Sequence, residues 1–167
     1  MIDLFVEDTH HLNAAKSWIE LGNHVEAYNE LEKIALVNRS VPEVLELRWQ
    51  VYTSAGDHNA ALSVARELLR VAPERYAGWI WRARSLYELG RIEQAIECLL
   101  LTATEFPKLG IIPFHIACYY AALNKLAEAK AWLICAFSSP EADTSELKAL
   151  SDPKVQELWE EIGSFSG

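Results

Sequence analysis

The side chains best suited to chemistry are a histidine and a cysteine in the segment HIAC. His115 and Cys118 are three residues apart, which places them on one face of a helix. An imidazole beside a thiol can form a nucleophilic pair, and the same two groups could supply half of a zinc site. No acid or third metal ligand occurs at a matching spacing. The consecutive His10 and His11 also have no further metal ligand at a matching spacing. The pattern therefore indicates neither a catalytic site nor a metal site.

Other sequence signals for catalysis are missing. There is no glycine-rich phosphate loop, no GxSxG nucleophile elbow and no HExxH zinc motif. His24 and His58 occupy the same position in a repeated pattern, so the repeat accounts for them without a ligand role. We therefore expect a protein that is not an enzyme and that needs no cofactor. A thiol or metal-dependent enzyme centred on His115 and Cys118 is the alternative, and metal analysis would test it.

The three cysteines are an odd number and include no CxxC pair. Such usage is typical of reduced thiols rather than of a disulfide framework. Cys98 and Cys135 lie among leucine and isoleucine in segments with helical periodicity. The sequence therefore predicts that both thiols are buried and inert.

Composition limits the partners and the location. The 167 residues include 24 acidic and 15 basic side chains, for a net charge of −9 and a pI near 5.0. Such a chain repels a phosphate backbone unless it carries a basic stripe, which is not found, so nucleic acid is disfavoured. No apolar run approaches the ~18 residues of a membrane span, and the acidic N-terminal segment does not resemble a signal peptide. We therefore expect a cytoplasmic protein that does not contact a membrane.

A bend that recurs four times positions these residues. The segments ELGNHVEA, SAGDHNAA, ELGRIEQA and ALNKLAEA follow one another at intervals of 34 residues. A fixed period of this length is the signature of a repeat protein. The bend residues are Gly22, Gly56, Gly90 and Asn124. Helices commonly end on a residue in the left-handed conformation, which glycine adopts without strain and asparagine tolerates next best. Each bend therefore predicts a junction between two helices.

Between the bends, apolar residues recur every three or four positions, which predicts amphipathic helices and no strand. Pro73 and Pro107 each follow their bend glycine by 17 residues and end the second helix of a pair. We therefore predict an all-α fold of helix pairs. The predicted pairs are residues 9–21 with 24–37, 42–55 with 58–71, 76–89 with 92–105, and 110–123 with 126–138.

The repeat resembles the tetratricopeptide repeat (TPR) family. The third repeat carries most of the likeness, with residues at the family's Trp, small, Tyr, Gly, Ala, aromatic and Pro positions: Trp79, Ala83, Leu86, Gly90, Ala95, Leu99 and Pro107. The second repeat matches at Tyr52, Gly56, Ala61 and Pro73, but it has Trp49 where the family has a small residue. The resemblance implies a right-handed superhelical α-solenoid of four TPR-like helix pairs. Residues 1–143 hold this array, with repeats at 8–41, 42–75, 76–109 and 110–143.

Residues 144–167 contain no fifth bend. Asp143 with Glu146 predicts a capped short helix, and Pro153 predicts the start of a second helix. The apolar residues of both helices can cover the last repeat, so we expect C-terminal capping helices. The alternative is that this tail docks into the binding groove and regulates it.

In the family, the first helix of each pair lines a concave groove that binds segments of partner proteins. The resemblance places eight residues of the third and fourth repeats in this groove: Ile80, Trp81, Arg84, Tyr87, Ile111, Phe114, His115 and Cys118. Exposed apolar surface commonly marks a binding site, and Trp, Tyr and Arg are its usual anchors. The sequence therefore predicts a non-catalytic scaffold that binds a protein or peptide segment in the groove.

Two specialised uses of the family differ in how well they fit. Members that clamp the C-terminal carboxylates of chaperones use Lys, Asn, Asn, Lys and Arg at set groove positions. This chain has Leu12, Lys16, Leu47, Ala77 and Trp81 there, which lack the cations that a carboxylate requires. The acidity, the small size and the segment IPFHIACYYAAL are similar to secretion-type chaperones, which hold apolar segments of exported proteins. Such chaperones usually dimerise, so this alternative predicts a homodimer.

Overall fold

The structure, a computed structural model, describes residues 6–143, Leu147 and residues 153–164. Every regular element in this part of the chain is helical, so the predicted all-α fold is confirmed. A 3-10 turn, Leu36–Asn38, lies between the second and third α-helices. The α-helices are α1 (Val6–Glu20), α2 (His24–Lys33), α3 (Pro42–Ser54), α4 (His58–Val71), α5 (Tyr76–Glu88), α6 (Ile92–Glu105), α7 (Ile111–Ala122), α8 (Leu126–Ser138) and α9 (Pro153–Ser164).

Each of the four repeated bends follows the end of a helix. Gly22, Gly56 and Gly90 have φ of +73°, and Asn124 has φ of +60°, so all four residues are left-handed. After the second bend, the carboxylate of Asp57 accepts a hydrogen bond from the backbone N–H of Ala60 at 3.0 Å and caps α4. The bend thus reverses the chain and the cap starts the next helix, as local sequence chemistry dictates.

The chain divides into two compact units, Met1–Leu89 and Gly90–Gly167. In the first unit α1 packs with α2, α3 with α4, and α4 with α5, and α3 also contacts α1 and α2. Ala27 and Ala61, five residues past their bends, are fully buried, and their small size lets the paired helices approach closely. One core cluster of this unit contains Leu12, Ala15, Ala27, Leu31, Ile34, Val41, Val44, Leu47 and Val51.

In the second unit α7 packs with α6 and α8, and α9 lies against both α7 and α8. Pro153 is the first residue of α9, as predicted, whereas the short helix predicted from Asp143 and Glu146 lies outside the described residues. The rings of Phe137 and Trp159 meet at a centroid distance of 3.9 Å. The core cluster contains Phe114, Ala117, Ala121, Ala129, Leu133, Ala136, Leu147, Val155 and Leu158. None of the described helices combines the length and apolarity needed to span a bilayer.

The first repeat departs from its predicted helix boundary. The sequence predicts a helix to residue 37, but α2 ends at Lys33 and the backbone becomes extended at Ile34. The cause is Asp8 of α1, which is buried and accepts hydrogen bonds from the backbone N–H of Ala35 at 2.9 Å and from Nδ2 of Asn38 at 2.6 Å. This long-range pairing holds the 3-10 turn in place of a fourth helical turn.

Candidate functional site

A stack of two tryptophans joins the first helices α3 and α5. The rings of Trp49 and Trp81 have centroids 4.8 Å apart and planes 9° from parallel. Trp49 is 5% exposed, and its indole Nε1 donates to Oγ of the buried Ser85 at 3.1 Å. Trp81 is half-buried and also packs against the cluster of Leu45, Leu68 and Ala72. The buried indole therefore has both an aromatic contact and the hydrogen-bond partner that burial requires.

Arg84 completes this surface. Its guanidinium carbon lies 5.6 Å from the centroid of the Trp49 ring, within the range of a cation–π contact. The Arg84 side chain is exposed and Tyr87, one turn further along α5, is half-buried. The helix therefore presents a cation and an aromatic side chain to solvent above a buried aromatic platform. We call Trp49, Trp81, Arg84 and Tyr87 the aromatic–arginine surface.

A second group of polar side chains lies at the N-terminal end of α3. Arg75 pairs with Glu43 and Glu46, at 2.8 Å from each carboxylate. These pairs raise the pKa of Arg75, chiefly through its hydrogen bond to Glu43. Burial raises the pKa of Glu43, but its hydrogen bond and attraction to Arg75 outweigh burial and leave the pKa below its ordinary value. Arg75 and Glu43 are therefore both charged at neutral pH.

Two of the predicted groove residues are in the core. Ile80 is 8% exposed and Phe114 is 1% exposed, so the expectation of an exposed side chain is wrong at both positions. Phe114 shares a cluster with Leu133 of α8 and with Val155 and Leu158 of α9. Leu147, Val155 and Leu158 from the C-terminal part of this chain pack in the same cluster and cover Phe114.

The His115–Cys118 pair lies on α7, and both side chains are half-buried. The His115 ring is 5.8 Å from the ring of Phe114 and 6.1 Å from that of Tyr119. Cys118 and Ile111 lie against the α7–α8–α9 core cluster. Among the described residues, no group of three or more His, Cys, Asp or Glu side chains is arranged to hold a metal ion. The geometry therefore places the imidazole among aromatic rings.

The two cysteines predicted to be buried differ. Cys98 is 8% exposed, as expected, but Cys135 is exposed and its prediction is wrong. On α8 the fully buried side chains are Leu133 and Ala136, whereas Ile134, next to Cys135, is 51% exposed. Aliphatic neighbours in sequence do not determine which face of a helix a residue occupies.

Sequence reasoning missed Trp49 and Arg75 as parts of these sites. Trp49 departs from the family's small residue, and that departure is the signal that could have identified it. Arg75 is the last residue before α5, and nothing in its spacing points to Glu43, 32 residues earlier. Only the packing of α3 against the end of α4 brings these charges together.

The paired helices and left-handed bends define an all-helical repeat protein. A family model described as "Tetratricopeptide repeat" matches residues 52–108, which include the bends at Gly56 and Gly90. This match confirms, over those residues, the resemblance to the TPR family that the sequence suggested. The sequence matches no curated protein.

Solved structures extend the likeness of fold over most of the chain. The chain is similar to TTC0263, a thermophilic TPR protein of Thermus thermophilus, with a TM-score of 0.73 and 22% identity, over 93% of this chain and 83% of that one. It is also similar to MamA of Desulfovibrio magneticus RS-1, with a TM-score of 0.69 and 15% identity, over 95% and 98% of the two chains. A further crystal structure of MamA is similar with a TM-score of 0.69 and 16% identity, over 86% of this chain and 81% of that one. At these low identities, the similarity shows a shared fold.

Proposed function

We propose that this chain is a non-catalytic scaffold that binds a segment of a partner protein at the aromatic–arginine surface. The observation that carries the proposal is the position of Arg84, whose exposed guanidinium lies over the buried ring of Trp49. Such a contact restrains the arginine while leaving its donors open to solvent. Arg, Tyr and Trp are enriched among the residues that dominate binding at protein interfaces.

The TPR assignment supports the proposal, because the family uses its first helices to bind partner segments. Arg84 and Tyr87 both lie on α5, the first helix of its pair. An aromatic platform with one cation suits a segment that combines an apolar side chain with a carboxylate or carbonyl acceptor. In the second unit, the half-buried Ile111, His115 and Cys118 are a separate candidate contact set on α7.

Site-specific photo-crosslinking tests the proposal. A photoreactive amino acid would replace Glu88, which is exposed on α5 one turn beyond Arg84, and in a control protein it would replace Arg66, which is exposed on the second helix α4. After irradiation in native lysate, we expect a discrete crosslinked partner from position 88 and none from position 66. Adding Arg84→Glu to the first protein should abolish the crosslink while circular dichroism stays helical.

Three outcomes would count against this function. Crosslinks of equal strength from both positions would indicate non-specific contact, and absence of any crosslink from position 88 would mean that the surface is unused. Persistence of the crosslink in the Arg84→Glu protein would show that the arginine does not bind the partner. The two crosslinker positions are both exposed, so a difference in accessibility does not explain a difference between them.

A further inference from the structure

We infer that the first unit carries a second binding site, a cleft that accepts an apolar side chain of a partner segment next to a basic residue. The cleft has a volume of about 390 Å³, which is in the range of protein ligand pockets. It lies where the 3-10 turn, the start of α3 and the end of α4 meet, and its lining is Val37, Ser40, Val41, Pro42, Glu43, Val71 and Arg75. It shares no residue with the aromatic–arginine surface, so the inference goes beyond the proposed function.

The apolar side of the cleft is open to solvent. Val37 is 68% exposed, and its neighbour Leu36 is 79% exposed. Among the other apolar lining residues, Val41 is buried, and Pro42 and Val71 are half-buried. Exposed aliphatic side chains contribute little to folding, and a contiguous apolar patch that adjoins a cleft commonly marks an interaction site.

The turn that presents Val37 is held in place by specific bonds. Asp8 binds both sides of the turn, at the backbone N–H of Ala35 and at the side chain of Asn38. Arg39 donates from Nε to the backbone carbonyl of Ile34 at 3.0 Å. A binding surface that is already ordered loses less conformational entropy when its partner docks. The buried carboxylate of Asp8 therefore preorganises an exposed apolar turn.

The charges at the mouth of the cleft decide what accompanies the apolar side chain. Arg75 donates from Nη2 to Glu43 and from Nη1 to Glu46, so two carboxylates offset its positive charge. Each carboxylate keeps acceptor capacity for a further donor, so a cationic group can bind beside Arg75. Lys16 of α1 also attracts Glu43, but more weakly than Arg75 does.

The charge of the surrounding protein also favours a cationic partner. The nearby Arg70 and Glu67 form an ion pair at 2.7 Å, so their charges cancel. The whole chain carries a net charge of −9. A net negative protein raises the local concentration of cationic partners. The cleft therefore suits an aliphatic side chain flanked by lysine or arginine.

Synthetic peptides test this site without the natural partner. Three amidated pentapeptides would be added to isotope-labelled protein: one with leucine between two lysines, one with serine between two lysines, and one with leucine between two glutamates. The methyl signals of Val37 and Val71 would be followed by NMR. We expect saturable shifts from the leucine–lysine peptide, which should bind roughly ten-fold more tightly than either of the others.

Matched variants separate the apolar and the charged contributions. Val37→Ser should weaken binding of the leucine–lysine peptide about five-fold, whereas Val25→Ser, the same change at an exposed valine of α2 outside the cleft lining, should leave it unchanged. Combining Glu43→Gln with Glu46→Gln releases Arg75, so this protein should prefer the leucine–glutamate peptide. Thermal melts would establish that each variant is folded.

The proposal is overturned if all three peptides shift the methyl signals equally, if none does, or if Val37→Ser leaves the affinity unchanged. Shifts that depend on protein concentration without any peptide would also overturn it, because a second copy of the chain would then occupy the cleft. Failure of the peptides leaves the crosslinking result at Arg84 unaffected, so the two proposals fail independently.

Discussion

Trp49 and Trp81 stack with their ring centroids 4.8 Å apart, and this contact joins α3 directly to α5. Trp49 occupies a position where the TPR family has a small residue. Here the indole is buried, its Nε1 binds Ser85, and its ring lies beneath Arg84. Trp49, a residue that departs from the family pattern, thus forms the buried part of the aromatic–arginine surface.

The Trp49–Ser85 hydrogen bond gives the first prediction. Ser85→Ala leaves the buried indole N–H without its acceptor and should lower the free energy of unfolding by about 1–3 kcal/mol. In a Trp49→Phe background the same change should cost much less, because the donor is already gone. Urea titrations of the two single variants and the double variant measure this coupling. Additive losses would show that the bond contributes nothing to stability.

Asp8 makes stability depend on pH. The hydrogen bond from the backbone N–H of Ala35, followed by that from Asn38, lowers the pKa of Asp8 below its ordinary value near 3.8. A carboxyl group with a depressed folded-state pKa stabilises the protein above its unfolded pKa, and this contribution is lost as pH falls through the folded pKa.

Asp8→Asn removes that titration and puts an amide donor opposite the Asn38 amide. The variant should therefore be less stable than the native protein at pH 7, and the difference should shrink as pH falls below about 4. Urea midpoints measured from pH 7 down to pH 3 check this, with Asp57→Asn as a control, because an asparagine can still cap α4. A difference that stays constant across the range would contradict the assignment.

The backbone of this fold is largely local and was therefore predictable. Gly56 and Asp57 illustrate this, because a left-handed residue followed by a helix cap needs no information from elsewhere in the chain. The boundary of α2 was not predictable in the same way, since it depends on Asp8, 27 residues before Ala35.

Side-chain exposure was less predictable than the helices. Phe114 has the sequence position of a groove residue, but residues of α9 cover it. The Arg75–Glu43 pair likewise depends on how helices pack. Periodicity gives one buried face per helix, but it does not state which neighbour covers that face or which charges meet at its edge.

The left-handed bends give a graded prediction. A Cβ at Gly90 would meet no atom within 4 Å, so any cost of substitution comes from its φ of +73°. Gly90→Val should destabilise the protein by about 1–2 kcal/mol. Gly90→Asn should cost clearly less, because Asn124 adopts φ of +60° at the matching bend. Denaturant titrations compare the two variants, and equal losses would mean that backbone strain is not the cause.

The cysteines should differ in reactivity. Cys135 is exposed on α8, so it should react with a maleimide at a rate close to that of an unfolded-chain thiol. Cys98 is 8% exposed and should react much more slowly until denaturant is added. Mass spectrometry of partially labelled native protein identifies the modified positions. Modification of Cys98 before Cys135 would contradict the burial of Cys98 on α6 and the exposure of Cys135 on α8.

Phe114 and Arg84 should separate stability from binding. Phe114→Ala empties a fully buried position between α7, α8 and α9, and should lower the free energy of unfolding by about 3–5 kcal/mol. Arg84→Ala removes an exposed side chain and one cation–π contact, so its cost should not exceed about 1 kcal/mol. With the photoreactive residue at position 88, Arg84→Ala should weaken the crosslink strongly. Phe114→Ala should retain the crosslink at temperatures where circular dichroism shows the protein folded. Loss of the crosslink in folded Phe114→Ala protein, with retention in Arg84→Ala, would transfer the binding role to α7.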